Sequence, residues 1–228
     1  RVKKVDTILS ELDRWIVGKG DGQYIEYDYN PYTSFATHTL NEEKGIQQVR
    51  GELKELISVL LKSNNLDRCL EVGLGFFGST HFLFRQMFEN VITIEHNFER
   101  IRLFGRNTKK YYNKFVLANG KSKFYHGTSN GVQTVSDIYT NESSVDFLFI
   151  DGNHSYEQVL ADYLMYSPLV KRGGIIAFHD TIYVKGYNED VPHLMEEIKG
   201  GKFTNGDKIE TFNIHKSKTQ GITYFYKK

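Results

Sequence analysis

The segment from residue 68 to residue 78 constrains the fold of this chain more than any other stretch. An apolar run there ends in a turn that contains Gly73, Gly75 and Gly78. Glycines at such a turn let the backbone adopt conformations that a Cβ would forbid and let it approach a ligand closely. A second apolar run ends at Glu95, 22 positions after Gly73, where a doubly wound sheet places the carboxylate that binds ribose hydroxyls. The pair predicts a domain that holds a nucleoside cofactor.

Strands alternate with helices along most of the chain, which predicts βαβ units joined into a parallel sheet. The last two strands are joined by residues 215–221, too few for a helical crossover, so we expect them to pair antiparallel. The predicted fold is therefore α/β, with a doubly wound, mostly parallel seven-stranded sheet and an antiparallel C-terminal hairpin. Expected strands are the run before Gly73 and residues 91–95, 123–126, 145–151, 175–179, 209–214 and 222–226; expected helices are 5–16, 46–61, 79–88, 98–115, 131–139, 156–170 and 191–199.

The first 45 residues are expected to form an N-terminal extension to a cofactor-binding domain at 46–228. Apolar residues recur at helical spacing from Val5 to Ile16, which predicts an amphipathic helix. A segment without clear periodicity follows, and we interpret it as an aromatic lid. Its aromatic residues are Tyr24, Tyr27, Tyr29, Tyr32 and Phe35. His38 and Arg50 are candidates to reach the ligand site from this N-terminal side.

Composition excludes several classes of protein. Lys and Arg total 29 against 28 for Asp and Glu, so no basic footprint for nucleic acid is present. No run approaches the ~18 consecutive apolar residues of a membrane span, and charges interrupt the start where a signal peptide would be apolar. Cys69, the only cysteine, is expected to pack as a small apolar residue. We expect a reducing, cytoplasmic setting, and the lack of an initiator Met leaves open that this is one domain of a larger protein.

The glycine spacing also matches the dinucleotide fingerprint, so an NAD-dependent oxidoreductase is the first alternative. Little chain remains for the second nucleotide-binding half or substrate domain that such an enzyme needs. Glu71 would also place a negative charge near a pyrophosphate. Both observations favour a different cofactor.

Four motifs together resemble the class I S-adenosylmethionine (SAM) methyltransferases. They are Leu70-Glu-Val-Gly-Leu-Gly75, Thr93-Ile-Glu95, Phe149-Ile-Asp-Gly-Asn-His-Ser-Tyr156 and Arg172-Gly-Gly-Ile-Ile-Ala-Phe-His-Asp180. In detail they are similar to the branch that contains sugar O-methyltransferases of the macrocin, mycinamicin and rhamnosyl type. The resemblance runs from about Gln47 to Tyr226 and implies a Rossmann-like fold and a SAM cofactor.

The resemblance also implies which residues bind SAM. Carboxylates near the cofactor would stabilise its sulfonium and ammonium charges, and Glu95 matches the family's ribose-binding acid. The loop after the third strand matches the one near the adenine. The cofactor-binding residues expected on this basis are Glu71, Gly73, Gly75, Ser79, Glu95, His96, Gly127, Thr128, Ser129 and Asp151.

Asp151, His154, His179 and Asp180 follow adjacent central strands, at the sheet edge where open α/β folds bind ligands. A sugar hydroxyl needs a general base, a metal ion, or both, before it can accept a methyl group. We predict His154 as the general base and count Asp151 and His179 with it as catalytic. Asp151, His179 and Asp180 are the predicted ligands of Mg²⁺ or Mn²⁺, although relatives carry a Glu-Asp pair where this chain has His179 and Asp180.

The expected function is SAM-dependent O-methylation of a sugar hydroxyl, in a glycan or a glycosylated small molecule. A catechol-like acceptor and a SAM-binding module without turnover remain alternatives. The expected partner is this small-molecule or glycan acceptor, with no nucleic acid and no membrane span. A homodimer through the N-terminal segment, and a place within a larger glycan-building protein, are left open.

Overall fold

A central sheet with helices on both faces organises the computed structural model, which describes residues 4–18, 48–63, 66–75, 78–111, 120–204 and 206–228. The strand order is β3-β2-β1-β4-β5-β7-β6. Strands β1 to β5 pair parallel, and β7 runs antiparallel to β5 and β6. This confirms the predicted fold class. The strands are β1 (Arg68–Val72), β2 (Asn90–Glu95), β3 (Lys121–His126), β4 (Val145–Ile150), β5 (Val170–His179), β6 (Phe212–Ile214) and β7 (Ile222–Tyr226).

Two apolar layers enclose the sheet. On one face α1 to α4 bury a cluster in which Trp15 stacks on Phe82, with ring centroids 4.4 Å apart. On the other face α5 to α7 cover a second cluster around Tyr166 and Phe178. Because both faces are covered, β4 is buried at every position, and apart from Asp146 its sequence is apolar rather than alternating. The described helices are α1 (Val5–Gly18), α2 (Arg50–Leu60), α3 (Ser79–Arg85), α4 (Phe98–Tyr111), α5 (Val132–Asn141), α6 (Tyr156–Tyr166) and α7 (Asp190–Lys199).

The N-terminal helix α1 packs into the same core as α2 and α3. Its apolar stripe, Ile8, Leu9, Leu12 and Trp15, is fully buried. The prediction of an amphipathic helix here is confirmed. Cys69 is a free, buried thiol in β1, as expected, and burial raises its pKa.

The boundary between α6 and β5 differs from the prediction of a helix that ends near residue 170. The helix ends at Tyr166, and a single 3₁₀ turn with Pro168 near its start leads into β5 at Val170. Proline lacks the N–H that would continue the helix. The segment 171–174, expected to be a loop, lies within β5, where Gly173 and Gly174 exchange backbone hydrogen bonds with Lys227 at 2.7 and 2.8 Å. The predicted strand at 209–214 is shorter and begins at Phe212.

The aromatic segment predicted as a lid, from Tyr24 to Phe35, lies outside the described residues. The last residues of the helix predicted at 98–115 do so as well. Among the residues that are described, no helix combines the length and the apolar character needed to cross a membrane.

Candidate functional site

A cleft of about 510 Å³ opens where the strand order reverses, at the carboxyl ends of β1, β2 and β4. We call it the first cleft. Its volume lies in the range usual for small-molecule and cofactor sites. Most of the predicted cofactor residues line it, namely Gly73, Gly75, Glu95, His96, Gly127, Thr128, Ser129 and Asp151.

Gly73 joins the end of β1 to the end of β4 and admits no side chain. Its φ is +94°, a conformation that L residues rarely adopt, and a Cβ there would lie 2.2 Å from the carbonyl oxygen of Asp151. The backbone N–H of Asp151 donates to the carbonyl of Val72 at 3.0 Å, and that of Gly73 donates to Ile94 at 3.0 Å. The glycine is therefore needed to bring the Asp151 backbone against the turn after β1.

Glu95 ties together the two turns that border the first cleft. One carboxylate oxygen accepts from the backbone N–H of Leu74 at 3.0 Å, and the other accepts from Asn97 at 2.8 Å. Arg100 lies 3.5 Å from the same carboxylate and also lines the cleft. Arg100 donates to one of these oxygens, and His96 Nδ1 lies 3.1 Å from the other. A hydroxyl group that binds Glu95 in the cleft would therefore replace or share the contacts of these two side chains.

The structure places two of the predicted cofactor residues away from the first cleft. Glu71 is fully buried beneath α3, where it accepts from the Thr93 hydroxyl at 2.6 Å and lies 3.5 Å from His81. The physical reason is the alternation of β1, which turns Val72 to one face and Glu71 to the other. Ser79 is buried in the first turn of α3 and does not line the cleft.

Two carboxylates and two imidazoles meet at the ends of β4 and β5, as predicted from the sequence. His179 Nδ1 donates to Asp180 Oδ2 at 2.9 Å and lies 3.3 Å from Asp151 Oδ1. His154 Nε2 lies 3.2 Å from Asp180 Oδ2 and 3.8 Å from Asp151 Oδ1. We call these residues the strand-end cluster. Asp180 has a φ of +57°, and such strained non-glycine residues are concentrated at functional sites.

The charges of the strand-end cluster stabilise one another. Burial by itself would raise the pKa of Asp151, but the neighbouring His179 and His154 hold it well below its usual range. Burial opposes protonation of His154, yet the nearby carboxylates of Asp151 and Asp180 raise its pKa. Burial likewise opposes protonation of His179, and the charges of Asp180 and Asp151 raise its pKa well above the usual value. These shifts favour the ionised form of Asp151 and the protonated forms of the two imidazoles.

The two histidines occupy different positions relative to the first cleft. The His154 side chain is 52% exposed and lines the cleft, whereas that of His179 is 2% exposed and lies behind the carboxylates. Only a group on the cleft can exchange a proton with a ligand there. The geometry therefore favours His154 for proton transfer and gives His179 a position from which it orients the two carboxylates.

Asp151, His154 and Asp180 form a group that fits a divalent metal ion. One potential ligand atom from each lies within 4.8 Å of the others. Two carboxylate oxygens with one imidazole nitrogen suit Mn²⁺ or a heavier ion better than Mg²⁺. This group contains His154, whereas the predicted ligand set has His179, whose Nδ1 donates to Asp180.

Sequence reasoning did not identify Gln48. Its side-chain amide, 4% exposed, donates to Asp151 Oδ2 at 2.5 Å across 103 positions of sequence. No local pattern marks such a long-range partner. Arg100, one helical turn beyond Glu95, was also missed, although its spacing at the start of α4 was a usable signal. Arg50, a candidate to reach the site, instead pairs with Asp13 on α1 at 2.9 Å, and His38 lies outside the described residues.

The strand order, the antiparallel seventh strand and the first cleft define the class of protein, because together they form the Rossmann-like methyltransferase fold. An O-methyltransferase from Bacillus cereus, solved in complex with SAH, superposes with a TM-score of 0.58 over 98% of this chain and 100% of that one, at 14% identity. TomG of Streptomyces achromogenes, an O-methyltransferase of tomaymycin synthesis solved with SAM, gives a TM-score of 0.58 over 96% and 99%, at 11% identity.

Sequence comparison agrees with this fold. A family model described as a methyltransferase domain matches residues 70–181, from β1 to just beyond β5. The described residues that line the first cleft and those of the strand-end cluster fall within this matched segment. An uncharacterized protein of Acanthamoeba polyphaga mimivirus, R132, is 32% identical over 101 residues, which are 43% of this chain and 46% of that protein. The chain thus spans about half the length of this curated relative.

Proposed function

We propose that this chain is a SAM-dependent O-methyltransferase that acts on a sugar hydroxyl. The observation that carries the proposal is the position of Glu95 and the strand-end cluster on one cleft. A carboxylate able to accept ribose hydroxyls stands on one wall, and groups able to move a proton stand on another. The preference for a sugar rests on the resemblance of segments 149–156 and 172–180 to sugar O-methyltransferases.

On the cofactor side, the turn after β1 would let the backbone approach SAM closely, and the end of β2 would supply a hydrogen-bond acceptor for the ribose hydroxyls. Gly73 and Gly75, both at positive φ, leave backbone exposed where the amino-acid part of SAM would pass. Glu95 would accept the ribose hydroxyls. Thr128 and Ser129, on the loop after β3, would border the adenine.

On the acceptor side, the chain must align a hydroxyl and remove its proton. SAM supplies an activated methyl group, so transfer forms an oxygen–carbon bond, breaks a sulfur–carbon bond and releases S-adenosylhomocysteine (SAH). Without a metal ion, His154 in its neutral form would take the hydroxyl proton, and Asp151 and Asp180 would stabilise the imidazolium that results. With a divalent ion held by Asp151, His154 and Asp180, the ion would instead lower the pKa of the hydroxyl. His179 and Gln48 would hold the carboxylates in orientation from behind.

Calorimetric titration of the purified chain with SAH, and separately with NAD⁺, tests the cofactor assignment. We expect SAH to bind and NAD⁺ not to bind. Glu95→Gln should weaken SAH binding at least tenfold, since it removes the charged acceptor of the ribose. Glu99→Gln is the matched control, because Glu99 is an exposed carboxylate on α4 that pairs with Arg102 outside the cleft. Binding of NAD⁺ in place of SAH would indicate that the glycine turn binds a dinucleotide and would favour the oxidoreductase alternative.

A transfer assay then separates an enzyme from a binding module. The chain is incubated with SAM carrying an isotopically labelled methyl group and a panel of sugar and catechol acceptors, with and without Mn²⁺. A labelled methyl ether of a sugar that is formed by the unaltered chain and not by His154→Ala supports the proposal. Label found only in catechols would indicate a catechol-like acceptor. SAH binding without any transfer would indicate a binding module without turnover.

A further inference from the structure

A second cleft, of about 590 Å³, lies beyond the strand-end cluster in the order of the strands, since the first cleft is at β1, β2 and β4 and the second is at β7 and β6. It opens between α7, β6 and β7, beside the segment that follows β5. Thr181, at its edge, is the residue after Asp180. Asp190, also on its wall, accepts from the backbone N–H of Tyr156 at 3.0 Å, two positions after His154. The cluster therefore stands between the two clefts.

A chain of hydrogen bonds forms the floor of the second cleft. The Thr223 hydroxyl lies 2.8 Å from Asn213 Oδ1 and 2.8 Å from the Thr181 hydroxyl, which lies 3.2 Å from His215 Nε2. The Asn213 oxygen can only accept, so Thr223 donates to it and accepts from the Thr181 hydroxyl. His215 Nε2 then donates to Thr181. Burial lowers the pKa of His215, in agreement with a neutral ring in this position.

The direction of this chain determines what the floor offers to a ligand. Every proton within this series of hydrogen bonds is already donated. The remaining donors are the N–H groups of the Asn213 amide at the end of the series. Three carboxylates that line the second cleft supply acceptors, and we call them its rim. They are Glu189, Asp190 and Glu196. A hydroxyl group both donates and accepts, so hydroxylated ligands match the floor and the rim together.

Charge and shape further restrict the class of ligand that the second cleft can bind. Among the described lining residues, three are carboxylates and none is a lysine or arginine, so a phosphate would meet like charge with no lysine or arginine to balance it. Tyr183, 59% exposed, lines one side of the cleft with its ring. An accessible aromatic face stabilises the apolar face of a pyranose ring, as flat rings do for other amphipathic groups.

We propose that the second cleft holds the non-reacting ring of the acceptor, a hydroxylated ring that is uncharged or carries an amine and has no phosphate. This inference rests on the proposed methyltransferase function and deepens it. Acceptors activated as nucleotide diphosphates or coenzyme A thioesters are excluded, because their phosphates would face the carboxylate rim. Methylation would then act on a sugar that has already been transferred to its aglycone or glycan.

Saturation-transfer NMR with three matched sugars tests the inference directly: D-glucose, D-glucosamine and D-glucose 6-phosphate, each with the SAH-saturated chain. We expect saturation of the first two and at least a fivefold weaker effect for the phosphate. Tyr183→Ala should remove most of the signal. Tyr187→Ala is the matched control, because Tyr187 is an exposed tyrosine of the same segment that does not line the cleft.

The outcomes distinguish failure of the second-cleft assignment from failure of the proposed methyltransferase function. An equal or stronger effect for the phosphate, no effect for any sugar, or a signal that survives Tyr183→Ala would overturn the assignment of the second cleft. In each of those cases SAH binding to the first cleft leaves the methyltransferase proposal standing. Sugar binding without SAH binding would support the second cleft and contradict the proposed function.

Discussion

Asp162 on α6 is a buried carboxylate whose replacement is expected to stabilise the protein. It is fully buried, and burial raises its pKa from the usual 3.8 to about 6, with hydrogen bonds from Ser129 and Gln158 only partly offsetting the effect. One oxygen accepts from the Gln158 amide at 3.0 Å, and the other has no hydrogen-bond partner. The folded state therefore disfavours the ionised form.

The magnitude follows from linkage between ionisation and folding. The gap between 3.8 and about 6 corresponds to about 3 kcal/mol at ~1.4 kcal/mol per pH unit. Because the folded pKa is raised, the unfolded chain loses its proton first as pH rises. Stability thus falls between about pH 4 and pH 6 and is level above that range. Asp162→Asn removes this penalty and should raise the free energy of unfolding by about 2 to 3 kcal/mol at pH 7.5.

Urea unfolding of both proteins at pH 4.5 and pH 7.5 measures the effect. The stabilisation should be present at pH 7.5 and shrink to under about 1 kcal/mol at pH 4.5. Asp137→Asn is the matched control, since Asp137 also accepts from a glutamine four positions earlier, at 2.7 Å, on the partly exposed α5. A variant that is destabilised at pH 7.5, or equally stabilised at both pH values, would contradict a raised pKa of Asp162 in the folded state.

Three further substitutions have defined outcomes. Gly73→Ala should cost about 2 kcal/mol or more and abolish SAH binding, since positive φ alone costs ~1–2 kcal/mol and the new Cβ would meet the Asp151 carbonyl at 2.2 Å; unfolding and calorimetry check both. Gln48→Ala should lower kcat at least tenfold with little change in SAH affinity, because it frees one oxygen of Asp151; unchanged kcat would exclude this positioning role. Asp146→Ala should cost about 1–3 kcal/mol in urea unfolding without changing SAH affinity, since the buried Asp146 carboxylate accepts from the backbone N–H groups of Asp67 and Arg68 at the opposite edge of the sheet.

The sequence predicted the fold well because its main signals are local. Gly73 and Glu95 mark the ends of two neighbouring strands, and the apolar run 147–150 indicates a strand covered on both faces. The position of Asp151 beside Asp180 also follows, because the carboxyl ends of parallel strands share one edge. Patterns of this kind need no knowledge of side-chain orientation.

Side-chain direction accounts for most of what the sequence did not reveal. Glu71 lies next to the glycine motif, yet the alternation of β1 turns it under α3 rather than into the cleft. His179 and His154 have similar sequence contexts, but one is buried behind the carboxylates and the other lines the cleft. Gln48 reaches Asp151 only through tertiary packing. The extent of β5 was missed because Gly173 and Gly174, usually turn residues, pair with Lys227.

A crystal structure of the chain in complex with SAH tests the proposed function most directly. We predict SAH in the first cleft, with ribose hydroxyls on Glu95, adenine beside Thr128 and Ser129, and the sulfur on the side of Asp151 and His154. Adenosine bound with its ribose away from Glu95, or a sulfur directed away from the strand-end cluster, would contradict it.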